Sequence, residues 1–378
     1  MIQNQAPVEP SDMLAYDRVA VIGGGAWGTA LAAVARRAGR DVSLLARRED
    51  IVAELRDEAR NSAYLPDIAL PEGIGATTDP EEALADAQVV LIVTPSRSIR
   101  AMSELAAAHA PADAPFFICA KGIEAGTGLL MTGIAADAAP GRVLGAVSGP
   151  TFAVETAAEH PTAVTIACTS AADGATAMPD IAAARLAATL TTDSFRPYVS
   201  DDLIGVEIGG AVKNVIAIAC GILAGAGFGE NVRAALITRG LAEIKELAVV
   251  LGGRRETVTG LSGIGDLMLT CSSTKSRNFS YGAQRGQGIA EDQVFGGKPV
   301  VVEGRENATT VTDLARRHNL HMPICEMVRS IVADGQPIGE AFAAYWAAPI
   351  EAEPRALDIS IAHPAETEAQ IRFEELLP

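Results

Sequence analysis

Residues 18–38 carry the feature that most limits how this chain can fold. A short apolar run, Arg18 to Ile22, passes straight into G-G-G-A-W-G (23–28), and an alanine-rich stretch of helical composition, Thr29 to Ala38, follows. The order is strand, glycine turn, helix. Gly23, Gly25 and Gly28 keep the G-x-G-x-x-G spacing. The first glycine allows a tight turn, the second lets the backbone approach a pyrophosphate, and the third lets helix pack closely on strand. Free N–H groups at the helix start then face the phosphates. The motif is weak alone but informative in this context, and the reading is a dinucleotide-binding unit rather than a merely structural turn.

The next strand, Asp41 to Ala46, ends in Arg47 and Arg48, where a carboxylate would grip the adenine ribose hydroxyls of NAD. A guanidinium there can pair with the extra 2'-phosphate of NADP, so NADPH/NADP is favoured, with NADH/NAD also usable. The alternative is a solvated helix start, since Glu49 and Asp50 follow at once. Strands at Gln88 to Thr94, Phe116 to Ala120 and Arg142 to Val147 alternate with helical stretches at Pro80 to Ala87 and Ser96 to His109. This alternation predicts a parallel sheet with crossover helices. Ligands of such sheets sit off the carboxyl ends of strands, the edge that carries Thr94, Pro95, Ser96 and Lys121. In S-G-P-T-F-A (148–153) the Gly-Pro turn is either structural or a backbone donor site beside the cofactor. A strand at Thr162 to Cys168 and a helix at Ile181 to Leu190 complete the first domain.

From Ser200 the character changes to long helices, roughly 202–226 and 230–251, with shorter ones to about 345 and Asp201 as a cap for the first. Lys213 stands in the first of these, in G-V-E-I-G-G-A-V-K-N (205–214), a segment that otherwise reads as core. Side chains lean toward a helix N-terminus, so Lys213 is expected over Gly209 and Gly210, where missing side chains would leave room for a ligand. Burial depresses a lysine pKa and so makes the amine a proton donor and acceptor near neutral pH. The bland alternative is a lysine that snorkels to solvent. Further on, G-L-S-G-I-G-D (260–266) presents Asp266, as ligand or helix cap, and S-S-T-K-S-R-N (272–278) gathers the hydroxyls, guanidinium and amide that phosphate recognition requires. A helix starting at Asn278 would add backbone donors, whereas a solvated basic loop is the alternative. Gly286 to Gly297 reads as a loop. His318 and His321 stand three apart with no third ligand nearby, so no metal is expected.

The expected organisation is a loosely held front extension (1–17, with Pro7 and Pro10), a Rossmann-type α/β domain (18–199), a helical domain (200–350) and an appended, partly disordered acidic tail (351–378). With 47 acidic against 30 basic residues the formal charge is -17, which excludes nucleic acid and anionic membrane as main partners. The five cysteines form no C-x-x-C pair, and the longest apolar run, Val215 to Ala226, is too short and glycine-broken to span a bilayer. A cytoplasmic protein without an integral membrane span is expected, with a homodimer allowed.

Taken together, the motifs resemble the NAD(P)-dependent sn-glycerol-3-phosphate dehydrogenases of the bacterial type, from about Val19 to about residue 345. The resemblance rests on G-G-G-A-W-G-T-A-L-A (23–32), N-S-A-Y-L-P (61–66), K-G (121–122), S-G-P-T-F-A, G-V-E-I-G-G-A-V-K-N-V-I-A-I-A (205–219), N-V-R-A-A-L-I-T-R-G (231–240), L-S-G-I-G-D-L-M-L-T-C (261–271), S-R-N (276–278) and V-V-E-G (301–304). It implies a metal-free, reversible reduction of dihydroxyacetone phosphate to sn-glycerol 3-phosphate, supplying glycerophospholipid synthesis, with Lys213 as proton donor and acceptor. It further implies substrate contacts from Lys121, Gly149, Thr151, Lys213, Asp266, Ser276, Arg277 and Asn278. Cofactor contacts would come from Gly23, Gly25, Ala26, Trp27, Gly28, Arg47, Lys121, Ala153, Arg277, Val301 and Glu303. Two features depart from the family: Ala26 stands where a serine is common, and the two termini have no counterpart. The rival readings are a 3-hydroxyacid dehydrogenase, which the phosphate-type S-R-N cluster disfavours, and a non-catalytic NADP sensor, which would leave Lys213, Asp266 and Arg277 without a task.

Overall fold

A computed structural model describes residues 15–168, 178–353 and 359–377. Residues 1–14 of the expected extension, and Pro354 in the tail, lie outside the described residues. The chain divides into two compact units, residues 1–210 with 251–266, and 211–250 with 267–378. Two of the three exchange points fall inside helices and the third at a helix end, whereas the sequence reading placed one boundary at 199/200.

The first unit is built on eight strands: β1 (Arg18–Ile22), β2 (Asp41–Leu45), β3 (Ile74–Thr77), β4 (Val89–Ile92), β5 (Phe116–Ile118), β6 (Leu144–Ser148), β7 (Thr162–Cys168) and β8 (Phe195–Ser200). Their order is β3-β2-β1-β4-β5-β6-β7-β8. Seven helices are interleaved: α1 (Ala26–Arg37), α2 (Glu49–Glu58), α3 (Pro80–Leu84), α4 (Ile99–His109), α5 (Met131–Ala138), α6 (Ala153–Ala157) and α7 (Met178–Leu190). Strand β1 shows why its sequence is apolar throughout. Val19 and Val21 enter one core, Ala20 and Ile22 the other, so both faces are buried and no polar alternation survives.

The α/β class expected from sequence holds, with one amendment. Strand β7 runs antiparallel to β6, and the other neighbouring pairs are parallel. The only helix between β6 and β7 is α6, five residues long. It rises about 7–8 Å, less than the roughly 17 Å length of a five-residue strand. It therefore cannot return the chain for a parallel crossover.

Helix α8 (Leu203–Gly225) leaves the first unit at Gly210 and continues into the second. Its cap is Asp202, whose Oδ1 accepts from the Gly205 amide at 2.9 Å; Asp201, the expected cap, pairs instead with Arg254. Gly209 and Gly210 leave no ligand space. A Cβ on Gly209 would lie 2.5 Å from the Ser262 carbonyl, and one on Gly210 would lie 3.1 Å from the Lys121 side chain. The missing side chains serve close packing.

In the second unit α9 (Glu230–Val250) follows α8, and α10 (Arg255–Val258) returns to the first unit. A π-helical turn at Leu261–Gly265 leads into α11 (Asp266–Cys271), and α12 (Arg277–Gly286), α13 (Glu303–Arg317), α14 (Pro323–Val332) and α15 (Ile338–Trp346) complete the helical body. Helices α8 and α12 meet backbone to backbone. A Cβ on Gly221 would stand 2.2 Å from the Phe279 carbonyl, and one on Gly282 would stand 2.2 Å from the Ile218 carbonyl. Part of the expected loop at 286–297 is a 3₁₀ segment, Glu291–Gly297.

The acidic tail is not loose throughout. After the short hairpin β9 (Ile350–Glu351) and β10 (Ser360–Ile361), α16 (Glu366–Leu376) sets Phe373 against Phe342 and Trp346, with centroids 5.0 and 5.6 Å apart. One aromatic side chain anchors a helix whose charged residues had masked it.

Two buried acids act as tertiary helix caps. Glu243 of α9 accepts from the Ile324 and Cys325 amides at the start of α14. Glu207 of α8 accepts from the Thr132 amide at 2.9 Å and its hydroxyl at 2.5 Å, at the start of α5. Burial pushes the Glu207 carboxyl up to about 7, outweighing the Thr132 bonds that favour the charged form. A group whose pKa is higher folded than unfolded contributes stability that is complete below the unfolded value and lost as pH rises through the folded one. The stability of the wild type relative to Glu207→Gln is therefore expected to fall by roughly 3 kcal/mol between pH 4.5 and 8, measured by denaturant unfolding. A pH-independent difference between the two proteins would refute the assignment.

Candidate active site

The glycine turn sits where the sheet order reverses, between β1 and β4, the usual ligand crevice of open α/β sheets. Gly23 has φ +125°, and a Cβ there would meet the Val93 carbonyl at 2.5 Å. A Cβ on Gly28 would strike the Gly23 carbonyl at 1.9 Å, whereas one on Gly25 would meet nothing within 4 Å. The close approaches are thus at Gly23 and Gly28, and the open backbone is at Gly25. Helix α1 begins at Ala26 with no side-chain cap, so its first amides remain available to an anion. Ala26 and Trp27 lean on the core beneath the turn. Asn61, fully buried, donates to the Gly24 carbonyl at 3.0 Å and to Thr29 Oγ1 at 2.8 Å, holding the turn from behind. Sequence reasoning quoted Asn61 only within a motif and gave it no task.

Arg47 and Arg48 differ. Arg48 is forked onto Asp50, which raises its pKa through that hydrogen-bonded pair, while Arg47 is exposed and has no ion pair recorded among the described residues.

Farther along the same strand edge, Lys121 Nζ lies 2.6 Å from Asp266 Oδ2, and Asp266 is 1% exposed. This pair joins two of the residues expected at the site across 145 positions of chain. The Lys121 stem and Ser148 Oγ border Gly210 together, and Ser148 ends β6 just before Gly149. Gly149 presses on β7, with 2.9 Å between its ideal Cβ and Val164 Cα. Thr151 Oγ1 lies 3.4 Å from the Gly149 carbonyl, and Ala153 opens α6. The hydroxyls of Ser148 and Thr94 are buried and have no hydrogen-bond partner among the described residues.

In the second unit Lys213 is 7% exposed and donates to Thr270 Oγ1 at 2.8 Å, so it does not snorkel. Its neighbour Asn214 is the centre of a chain of polar contacts. Asn214 Nδ2 donates to Glu303 Oε2 at 3.0 Å, Asn278 Nδ2 donates to Asn214 Oδ1 at 2.9 Å, and the Gly304 amide donates to Asn278 Oδ1 at 2.8 Å. Asn278 is therefore mainly a brace, with one N–H left for a ligand. Ser276 Oγ caps α12 by accepting from the Phe279 amide, which leaves its O–H to donate elsewhere. The helix starts at Arg277, one residue earlier than expected, and the Arg277 side chain is 55% exposed, 3.9 Å from Glu303. Val301 is 40% exposed ahead of α13. Thr270 and Asn214 carried a signal that was missed: both are polar residues in apolar runs.

His318 closes α13, and among the described residues no three His, Cys, Asp or Glu side chains gather as metal ligands. Helix α8 is apolar and long enough to cross a membrane, but 89% of its most apolar window is buried in the protein.

Comparison with known proteins gives concordant results. The profile of the NAD-dependent glycerol-3-phosphate dehydrogenase N-terminus matches residues 18–173, and that of the C-terminus matches residues 202–343. The NAD(P)+ glycerol-3-phosphate dehydrogenase of Caulobacter vibrioides is 47% identical over 340 residues, covering 90% of this chain and 100% of the relative. That of Rhodospirillum rubrum is 47% identical over 337 residues, 89% of this chain and 94% of the relative. Among solved structures, the glycerol-3-phosphate dehydrogenase of Coxiella burnetii superposes with a TM-score of 0.80 at 35% identity, over 88% of this chain and 99% of that one.

The turn geometry separates folding from binding. Gly28→Ala is expected to lose roughly 2–4 kcal/mol of stability through its backbone clash. Gly25→Ala should stay within about 1 kcal/mol of wild type and yet bind NADPH weakly. Thermal unfolding and fluorescence titration of the two variants check this.

Proposed function

Because the chain belongs to the NAD-dependent glycerol-3-phosphate dehydrogenase family, we propose that it reduces dihydroxyacetone phosphate to sn-glycerol 3-phosphate, reversibly, with Lys213 as the proton donor. The observation that carries this reading is the Lys213 amine, buried in an apolar helix and donating to the Thr270 hydroxyl. Such a group can give a proton to a developing alkoxide and take it back in the reverse direction.

The residues present fit a dinucleotide: the open backbone at Gly25, the uncapped start of α1 and the unpartnered Thr94 hydroxyl on the same sheet edge support it. When bound, the reduced nicotinamide supplies the hydride that goes to C2 of the triose. The chain's own groups do the rest. Amides of Ala26 and Trp27 receive the pyrophosphate, Arg47 takes the 2'-phosphate of NADP, and Ala153, Val301 and Glu303 border the cofactor. Glu303 is anchored through Asn214 and Arg277. Asp266, neutralised by Lys121, accepts from substrate hydroxyls together with the Gly149 and Thr151 segment. For the substrate phosphate, Arg277 supplies the fork, Ser276 its O–H, and the first turn of α12 its amides, with Asn278 bracing them.

The product feeds glycerophospholipid synthesis, and the compartment proposed is the cytoplasm, where five free, buried cysteines stay reduced. A homodimer is compatible with this activity.

Steady-state reduction of dihydroxyacetone phosphate with NADPH and NADH side by side tests the function, and a protein inactive with both would defeat it. Lys213→Ala is expected to lower turnover by about 10²–10⁴, with NADPH affinity within a few-fold of wild type. Arg47→Glu should raise the KM for NADPH by roughly 10–100-fold and leave that for NADH nearly unchanged. Equal losses with both cofactors would remove Arg47 from the 2'-phosphate.

A further inference from the structure

We propose that Ser148 is a substrate-binding residue whose hydroxyl hydrogen-bonds an oxygen of the bound triose phosphate beside Lys121. The inference rests on the reaction proposed above and adds to it a residue that neither the motif reading nor the family resemblance assigned. Ser148 is the last residue of β6, on the carboxyl edge where ligands of such sheets bind. It is 6% exposed, and its Oγ is buried with no hydrogen-bond partner. Most buried hydroxyls in folded proteins find a partner, and an unsatisfied one at a ligand edge is a group held ready for the ligand.

Its surroundings indicate which ligand. An ideal Cβ on Gly210 would lie 3.4 Å from Ser148 Oγ and 3.1 Å from Lys121 Cγ, so the hydroxyl and the lysine stem share the space over one glycine. That lysine carries Asp266 at 2.6 Å. Of the other two buried hydroxyls without a partner among the described residues, Ser103 Oγ lies within α4, away from the strand ends, and Thr94 Oγ1 lies on a side chain whose Cγ2 would be 3.3 Å from a Cβ on Gly23. The two hydroxyls divide accordingly, Thr94 with the nucleotide turn and Ser148 with the charged pair that handles substrate. An aliphatic hydroxyl can both donate and accept, so Ser148 can serve the triose in either oxidation state.

The test compares wild type with Ser148→Ala in three measurements on the full chain. These are the KM for dihydroxyacetone phosphate at saturating NADPH, the Kd for NADPH by fluorescence titration, and the thermal midpoint without ligands. Loss of one substrate hydrogen bond should raise the KM by about tenfold. NADPH affinity should stay within twofold, and the midpoint should be unchanged or higher, because the alanine removes a polar group that had no partner. An unchanged KM, a loss of NADPH affinity in place of substrate affinity, or a fall in the ligand-free midpoint would each overturn the assignment. Wild-type turnover of dihydroxyacetone phosphate distinguishes the cases: its absence defeats the proposed function, whereas its presence with a normal Ser148→Ala defeats only this inference.

Discussion

Helix α8 can occupy its place only because its glycines let other backbone come within van der Waals reach. Gly209 admits the Ser262 carbonyl, Gly210 admits the Lys121 stem, and Gly221 with Gly225 admits the main chain of α12. Everything the helix presents depends on that contact. Lys213 and Asn214 follow directly on the first pair, and the α12 start with Ser276, Arg277 and Asn278 is drawn in by the second. A methyl group at any of these positions would push apart segments that are packed at close to crystal density.

The polar groups obey a matching rule. Each buried charged or amide side chain described on this helix is met by a partner from a distant segment: Glu207 by the start of α5, Lys213 by Thr270, Asn214 by Glu303 and Asn278. In an apolar environment an unmet group would cost more than a typical hydrogen bond returns, so these pairings select one arrangement of the chain. Glu243 does the same for α14. Acids in a chain of formal charge -17 are thus partly structural, used as caps inside the protein.

Much of this was legible in the sequence where local chemistry decides it. The strand, glycine turn and helix that open the first unit were legible because the apolar run, the glycine spacing and the alanine-rich stretch are all local. Lys213 is buried because a helix apolar on every side leaves it no solvent. Other features needed the partner in view. Asp201 and Asp202 are equally plausible caps until Arg254 claims the first. Gly209 and Gly210 read as empty space until Ser262 and Lys121 fill it. Asn278 reads as a ligand alone until Asn214 and Gly304 give its amide a bracing task as well. The acidic tail hid α16 because the aromatic contacts of Phe373 with Phe342 and Trp346 can be seen only when the receiving surface is known.

The contact between α8 and α12 has one more consequence. Where two helices touch through main chain, no side chain remains whose length could be adjusted, so the interval between the lysine of one and the guanidinium turn of the other behaves as a fixed gauge. Drift in the surrounding sequence can alter charge or hydration there, but it cannot lengthen the gauge by a carbon atom. Recognition of a longer phosphorylated chain would have to begin with a different pair of helices.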